Sequence, residues 1–261
     1  MYYDTLRKDL FAAIDYPKDL TALIGEAEPW RGFCTLPREM KERYSFLNHQ
    51  QYHDPGYRFR SKAEGREDKE YFHLYPDTYE LIAANGLTEE VRSEKKLSDF
   101  FSYADKTYHA AHEFAMQIGR DMGREIPELG RLVEEGKVRS TLRFLHYLNG
   151  DDTDVIAAQH FDRSLYTLHL YESGPGLQFM NWDMQWTDAP IDIGKTVVFS
   201  GYRLEKLTEG KIQKTWHRVA RKDEVKGRVS MVLFVWTREV EDYPREARSQ
   251  DMTPSYAPLS A

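Results

Sequence analysis

The stretch "AAQHFDRSLYTLHLYESGPGLQF", residues 157–179, reads mostly as β-strand, yet it sets an imidazole and a carboxylate two positions apart at His160 and Asp162. Side chains at i and i+2 of a strand point to the same face. An apolar strand that turns His and Asp the same way asks for a third partner, and a metal would supply the reason for all three.

Nine histidines are available to complete the set. His109 and His112 lie three apart on a helical stretch with no carboxylate suitably placed, and read as solvated or packed. His49 and His53 fall in a polar loop. His217 differs. It sits in "KTWHRVA" (214–220), a strand-like segment after the turn-rich "TEGKIQ", and lies 55 positions beyond Asp162. That distance allows several hairpins and a return to the same place. Two imidazoles and one carboxylate on one side of a metal are the facial set of non-haem Fe(II) oxygenases, with positions left open for substrate and O₂. Fe(II) so held keeps one net positive charge, which attracts anionic chelating co-substrates.

Eleven residues after His217 stands Arg228, followed at i+2 by Ser230, in "GRVSMVLFVW" (227–236). A guanidinium beside a hydroxyl makes a carboxylate clamp, because Arg offers a planar fork. Buried on an apolar strand, it is costly unless an anion neutralises it. The co-substrate 2-oxoglutarate could chelate iron with one end and reach Arg228 with the other. Each piece has an ordinary reading: a structural His–Asp pair, a packed His217, a surface Arg228. The ordered set argues for the metal site.

The whole chain agrees. Its 261 residues suit one large domain or two small ones, and 41% hydrophobic and 13% aromatic residues suffice for a core. A formal charge of −7 argues against nucleic acid as the main partner. No apolar run approaches the ~20 residues of a membrane span, so no membrane partner is expected. The N-terminus is too charged for a signal peptide. The single cysteine, Cys34, permits no internal disulfide and suggests a reducing, cytoplasmic setting. With no base near it in sequence, Cys34 reads as a packed small residue.

Helices are expected around residues 20–26, in "PREMKERYSF" with Pro37 at the first helical position, and as a short helix within 75–95. The clearest covers 98–124, where Tyr108, Ala111, Phe114, Ala115, Ile118 and Met122 form one apolar stripe. Residues 51–73 read as a long polar loop with short strands. After Gly136 the texture becomes short β-branched or aromatic segments, "KTVVFSGYRLEKL" among them, suggesting a barrel, sandwich or jelly roll. We expect residues 1–135 to form a helical and lid region, 136–243 the β core of the same domain, and 244–261 a mobile tail.

On these residues the chain resembles the isopenicillin N synthase-like family of Fe(II)/2-oxoglutarate-dependent dioxygenases. The resemblance is carried by His160-x-Asp162, His217 and Arg228-x-Ser230. It extends to "GPGLQF", to "LRFLHYL", to residues 193–220, to "GYRFRSKAEGREDKEYFHL" and to "GFCTLPREMKERY". Leu148 and Leu145 depart from it, standing where the family usually has Pro and Asn.

The resemblance implies a mainly β, α+β fold: a double-stranded β-helix, or jelly roll, buttressed by N-terminal helices. It implies Fe(II) on His160, Asp162 and His217, with O₂ and 2-oxoglutarate as co-substrates and Arg228, Ser230 and Tyr147 on the latter. The expected reaction hydroxylates an unactivated C–H bond of a small polar molecule, such as an amino acid or secondary metabolite, releasing succinate and CO₂. Asp162 favours hydroxylation, desaturation or ring closure over halogenation. Candidate substrate contacts are Tyr57, Arg58, Tyr71 and His73 in the lid, with Arg143 and Phe234. Two other readings stay open: an oxidase using the same triad without 2-oxoglutarate, and a catalytically silent metal- or ligand-binding barrel.

Overall fold

The structure, a computed structural model, describes residues 2–25, 27–47, 53–60, 69–148, 155–191, 194–220, 227–243 and 254–256. In chain order the elements are α1 (Tyr2–Asp9), β1 (Phe11–Asp15), α2 (Lys18–Ile24), α3 (Glu28–Cys34), α4 (Arg38–Glu42), β2 (Gly56–Arg60), β3 (Lys69–Leu74), α5 (Thr78–Ala84), α6 (Thr88–Ser93), α7 (Lys95–Gly123) and α8 (Pro127–Glu134). There follow β4 (Val138–Tyr147), β5 (Val155–His160), β6 (Tyr166–Glu172), β7 (Leu177–Met180), β8 (Trp186–Asp188), β9 (Lys195–Ser200), α9 (Tyr202–Leu207), β10 (His217–Ala220) and β11 (Val229–Thr237).

Two antiparallel sheets build the jelly roll. The larger has seven strands in the order β1-β9-β6-β11-β4-β3-β2, the smaller four, β5-β10-β7-β8. β11 lies between β4 and β6, and every residue along it is buried. With helices against one face and the second sheet across the other, it has no wet side. This explains its continuous apolar run where a half-exposed strand would alternate.

The outer face of the large sheet packs on α7 and α3. Trp30, Phe33, Phe72, Phe100, Phe101 and Phe144 form a buried aromatic cluster, with ring centroids 4.5 Å apart for Phe33 and Phe100 and 5.7 Å for Trp30 and Phe144. The Trp30 indole N–H donates to the Leu145 carbonyl at 3.0 Å, so the one polar atom of that ring is satisfied. The Glu94 carboxylate accepts the Lys96 amide and caps α7.

α8 crosses α7 at two glycines. A Cβ on Gly123 would lie 2.6 Å from the Gly130 Cα, where only backbone could yield. Gly123→Ala should therefore cost about 1–3 kcal/mol by overpacking. Urea unfolding reads this directly, and an unchanged midpoint would mean that α8 shifts without cost.

Several expectations need correction. The N-terminal 135 residues are helical but also supply β1, β2 and β3 to the large sheet. Residues 56–60 and 69–74 form the short strands expected within 51–73, but the second is fully buried rather than part of a polar surface. Two helices, α5 and α6, occupy 75–95. Pro37 stands just before α4. The segment 195–207 is strand only to Ser200 and then turns into α9. α1, α3 and α8 add to the expected helices. In the tail, residues 254–256 are packed: the Trp216 amide donates to the Tyr256 hydroxyl at 3.3 Å, which donates in turn to the Met180 carbonyl at 2.8 Å. Asp68, His49 and the remainder of 244–261 lie outside the described residues. No helix among the described residues is long and apolar enough to cross a membrane.

Candidate active site

A cavity of about 490 Å³ opens between the two sheets. Strand alternation decides what faces it: Tyr71 and His73 from β3, Arg143, Leu145 and Tyr147 from β4, Ser230, Val232 and Phe234 from β11. The small sheet closes the opposite wall with His160 and His217.

β5 and β10 run antiparallel with His217 directly opposite His160, and the two rings are 4.2 Å apart. Asp162 joins them, its Oδ1 3.8 Å from His217 Nε2. One donor atom from each of the three lies within 4.8 Å of the others. Both imidazoles are oriented by backbone. His160 Nδ1 lies 2.7 Å from the Ala158 carbonyl, and His217 Nδ1 lies 3.1 Å from that of Thr215. A carbonyl can only accept, so each Nδ1 carries the hydrogen and each Nε2 presents a lone pair. The Thr167 hydroxyl donates to Asp162 Oδ2 at 2.7 Å and fixes the carboxylate. Burial first, then the neighbouring His160 imidazole, outweigh the opposing pull of Asp162, lower the His217 pKa to about 4 and keep its ring neutral. Two neutral nitrogens and a carboxylate oxygen are a fitting donor set for Fe(II). One detail differs from the strand-phase expectation: β5 ends at His160, and Asp162 lies just beyond it.

Arg228 is 1% exposed and lies just before β11. Its sequence setting calls for an anion, and the chain itself supplies Glu172, bonded to Nη2. Nε donates to the Gly174 carbonyl at 3.2 Å, while Nη1 is buried without a hydrogen-bond partner. His169, whose Nε2 is 3.4 Å from Glu172, borders the same pocket. Burial alone would raise the Glu172 pKa; His169 and Arg228 outweigh it and hold the carboxyl below its ordinary value. Arg228 does not itself line the cavity, but Ser230, two residues on, does, and the orphaned Nη1 suits a carboxylate oxygen. Sequence reasoning misses Glu172, although an Arg beside an apolar strand is a signal to look for a carboxylate at the end of a neighbouring strand.

Of the candidate substrate contacts, Tyr71, His73, Arg143 and Phe234 line the cavity. Tyr57 and Arg58 do not. Tyr57 points to the helical side and donates to Glu70 at 2.9 Å, out of phase with Arg60, the residue of β2 that reaches the cavity. The Arg58 guanidinium turns to the carbonyls of Tyr57 and Phe46. The cavity also takes His53, Arg60, Lys69, Arg163 and His169, none of them singled out from sequence.

A second cluster lies outside the cavity. Glu70 accepts from Lys41 at 2.5 Å and from Tyr57, and its other oxygen is 2.9 Å from His146 Nδ1. Cys34, Glu70 and His146 also lie within 4.8 Å of one another, but Lys41 already fills the carboxylate's coordination. Burial pushes the Cys34 thiol well up from its ordinary value, away from a ligating thiolate.

Comparison with known proteins agrees with this geometry. Residues 139–236 match the family model described as the 2OG-Fe(II) oxygenase superfamily. The Arabidopsis thaliana protein named "Probable flavonol synthase 5" is 34% identical over 99 residues, 37% of this chain and 30% of its own. A 2-oxoglutarate-dependent dioxygenase of Didymella fabae is 31% identical over 101 residues, 36% of this chain and again 30% of its own. The match thus spans under a third of either relative. A full-length Neurospora crassa protein, solved in complex with alpha-KG and 5-formyluracil, shares the fold. Its TM-score is 0.71 at 17% identity, over 96% of this chain and 84% of that one. The matched residues 139–236 contain His160, Asp162, His217, Arg228 and Ser230, so the chain is similar to the 2OG-Fe(II) oxygenase superfamily across its candidate site.

Proposed function

We propose that the protein is an Fe(II)- and 2-oxoglutarate-dependent dioxygenase that hydroxylates an unactivated C–H bond of a small polar molecule in a reducing, cytoplasmic setting, with no nucleic-acid or membrane partner. The observation that carries the reading is the triad: two imidazoles held in the Nδ1–H form by carbonyls and one hydrogen-bonded carboxylate, converging inside a cavity. Bound Fe(II) with 2-oxoglutarate supplies O₂ activation and the oxidising power for C–H cleavage, with succinate and CO₂ as co-products. The chain's own tasks are narrower. His160 and His217 offer Nε2 lone pairs, Asp162 one negative charge. Arg228 Nη1 and Ser230 receive the distal carboxylate, and Tyr147 lies beside them, its ring 5.4 Å from the Arg228 guanidinium. The apolar walls limit water around the reacting carbon.

One observation favours a second reading. Glu172 already answers part of the Arg228 charge, which suits an oxidase that uses the triad without 2-oxoglutarate. Titrating 2-oxoglutarate into the Fe(II)-loaded, oxygen-free protein separates the two. The first reading expects a metal-to-ligand charge-transfer band. Arg228→Ala should raise the concentration needed by tens to thousands of fold, as losing a buried charge-assisted pair costs ~2–5 kcal/mol. Arg228→Lys should fall between, keeping the charge but not the fork. No band in the parent, or unchanged affinity in Arg228→Ala, would favour the oxidase.

A further inference from the structure

We infer that the molecule oxidised at this site is an organic acid, and that Arg143 fixes its carboxylate while Leu145, Val219, Val232 and Phe234 take an apolar or aromatic body. The inference deepens the oxygenase reading and rests on it for the fate of the bound acid.

The first ground is the charge of the wall. Among the described residues the cavity is lined by Arg60, Lys69, Arg143 and Arg163, against one carboxylate, Asp162, which the metal site uses. Arg163 is answered by Asp242 at 2.7 Å. Arg143 has no carboxylate partner among the described residues. Its Nε donates to His73 Nε2 at 2.7 Å, and its Nη2 lies 3.0 Å from His53 Nε2.

The second ground is how those imidazoles are set. His73 Nδ1 lies 2.9 Å from the Asp54 carbonyl, so it carries the hydrogen and Nε2 must accept from Arg143. The His53 and His73 rings stack with centroids 4.8 Å apart. Burial first, then the facing Arg143 charge, holds both below their ordinary pKa, hence neutral. The guanidinium also lies over Phe234, 4.4 Å from the ring centroid, and 5.6 Å from that of Tyr71. Two neutral acceptors and two aromatic faces orient this cation without cancelling it. The contrast with Arg228 is informative: that guanidinium receives an internal carboxylate from Glu172, whereas Arg143, open to the cavity, receives none among the described residues. A cation so placed recovers its lost hydration when an anion binds.

The third ground is the surface beside it. Leu145, Val219, Val232 and Phe234 line the same cavity and offer no partner to a polar body. An acid with a short hydrocarbon or aryl chain would put its charge on Arg143 and its C–H bonds along this wall.

The test uses acetate, hexanoate, benzoate and phenylacetate, each against its own amide, by calorimetry on the Fe(II)-loaded protein with 2-oxoglutarate and without oxygen. The larger acids should bind at least roughly tenfold more tightly than their amides, and that preference should vanish in Arg143→Gln, a loss on the order of 30-fold or more in acid affinity. Arg143→Lys should be intermediate. The 2-oxoglutarate charge-transfer band should be unchanged in both variants. No acid outbinding its amide in the parent overturns the inference, as does a preference that survives in Arg143→Gln, or a variant that loses the band and keeps the acid. Should Arg143→Gln fail to fold, the parent's acid-to-amide ratio and Arg143→Lys decide. A parent that shows no band yet binds acids through Arg143 would sink the oxygenase reading, overturn the acid's oxidation by it and leave only the acid-binding role of Arg143.

Discussion

Asp162→Ala should lose Fe(II) binding by at least about a hundredfold, since even outer-shell changes at metal sites cost 10–100-fold and this one removes a ligand atom. Activity should go with it. The backbone should stay in place, because the Asp162 carbonyl, which accepts the Tyr202 amide at 2.8 Å, is retained. The lost side-chain bond to Thr167 is one of several in that turn of the chain. Anaerobic Fe(II) titration together with far-UV circular dichroism checks both halves. A folded variant that binds Fe(II) as tightly as the parent would remove Asp162 from the site. Asp162→Asn sharpens the test, as it keeps an oxygen for Thr167 while removing the negative charge.

The largest loss of stability is expected far from the metal, at Lys41→Met. Lys41 and Glu70 are both buried, 6% and 4% exposed, and bridge α4 to β3. Removing one partner leaves the other charge without compensation, a change that typically costs about 3–5 kcal/mol. Glu70→Gln combined with Lys41→Met should recover part of that loss, which a double-mutant cycle in urea would measure. A Lys41→Met protein as stable as the parent would show that Tyr57 and His146 suffice for Glu70. The pH dependence follows from the same network. Burial alone would raise the Glu70 pKa, but the hydrogen bonds of His146, Lys41 and Tyr57 outweigh it and hold the pKa at about 2. The unfolded chain, with an ordinary value near 4.5, binds the proton first. The stabilisation is therefore complete above that range and fades as pH falls toward 2.

Much of the site was legible because its chemistry is written in residue type and spacing. His160, Asp162 and His217 needed only an antiparallel return to meet, and Arg228 was conspicuous beside an apolar strand. The sheet core was legible for a similar reason, since β11 and β6 carry runs that only a covered sheet tolerates. What stayed hidden depends on long-range pairing. β3 reads as polar, with Lys69, Glu70 and His73, yet it is wholly buried because Lys41, Tyr57, Asp54 and Arg143 come from elsewhere to meet those groups. The displacement of Tyr57 and Arg58 from the cavity is a matter of strand phase and side-chain direction at a sheet edge, which composition does not encode. α9 escapes notice because Tyr202–Leu207 continues the apolar texture of β9 without a break until Gly201 is seen as the turning point.

Residues 255 and 256 hold the strand that carries His217. The Trp216 indole N–H donates to the Ser255 carbonyl at 3.2 Å, its amide donates to Tyr256, and the next residue is His217. Removing this anchor would release an indole joined by one peptide bond to His217. Trp216 is thus a built-in fluorophore that registers both the docking of residues 255 and 256 and the state of the cavity beside His217, and an affinity tag added behind Tyr256 would pull on the same lever.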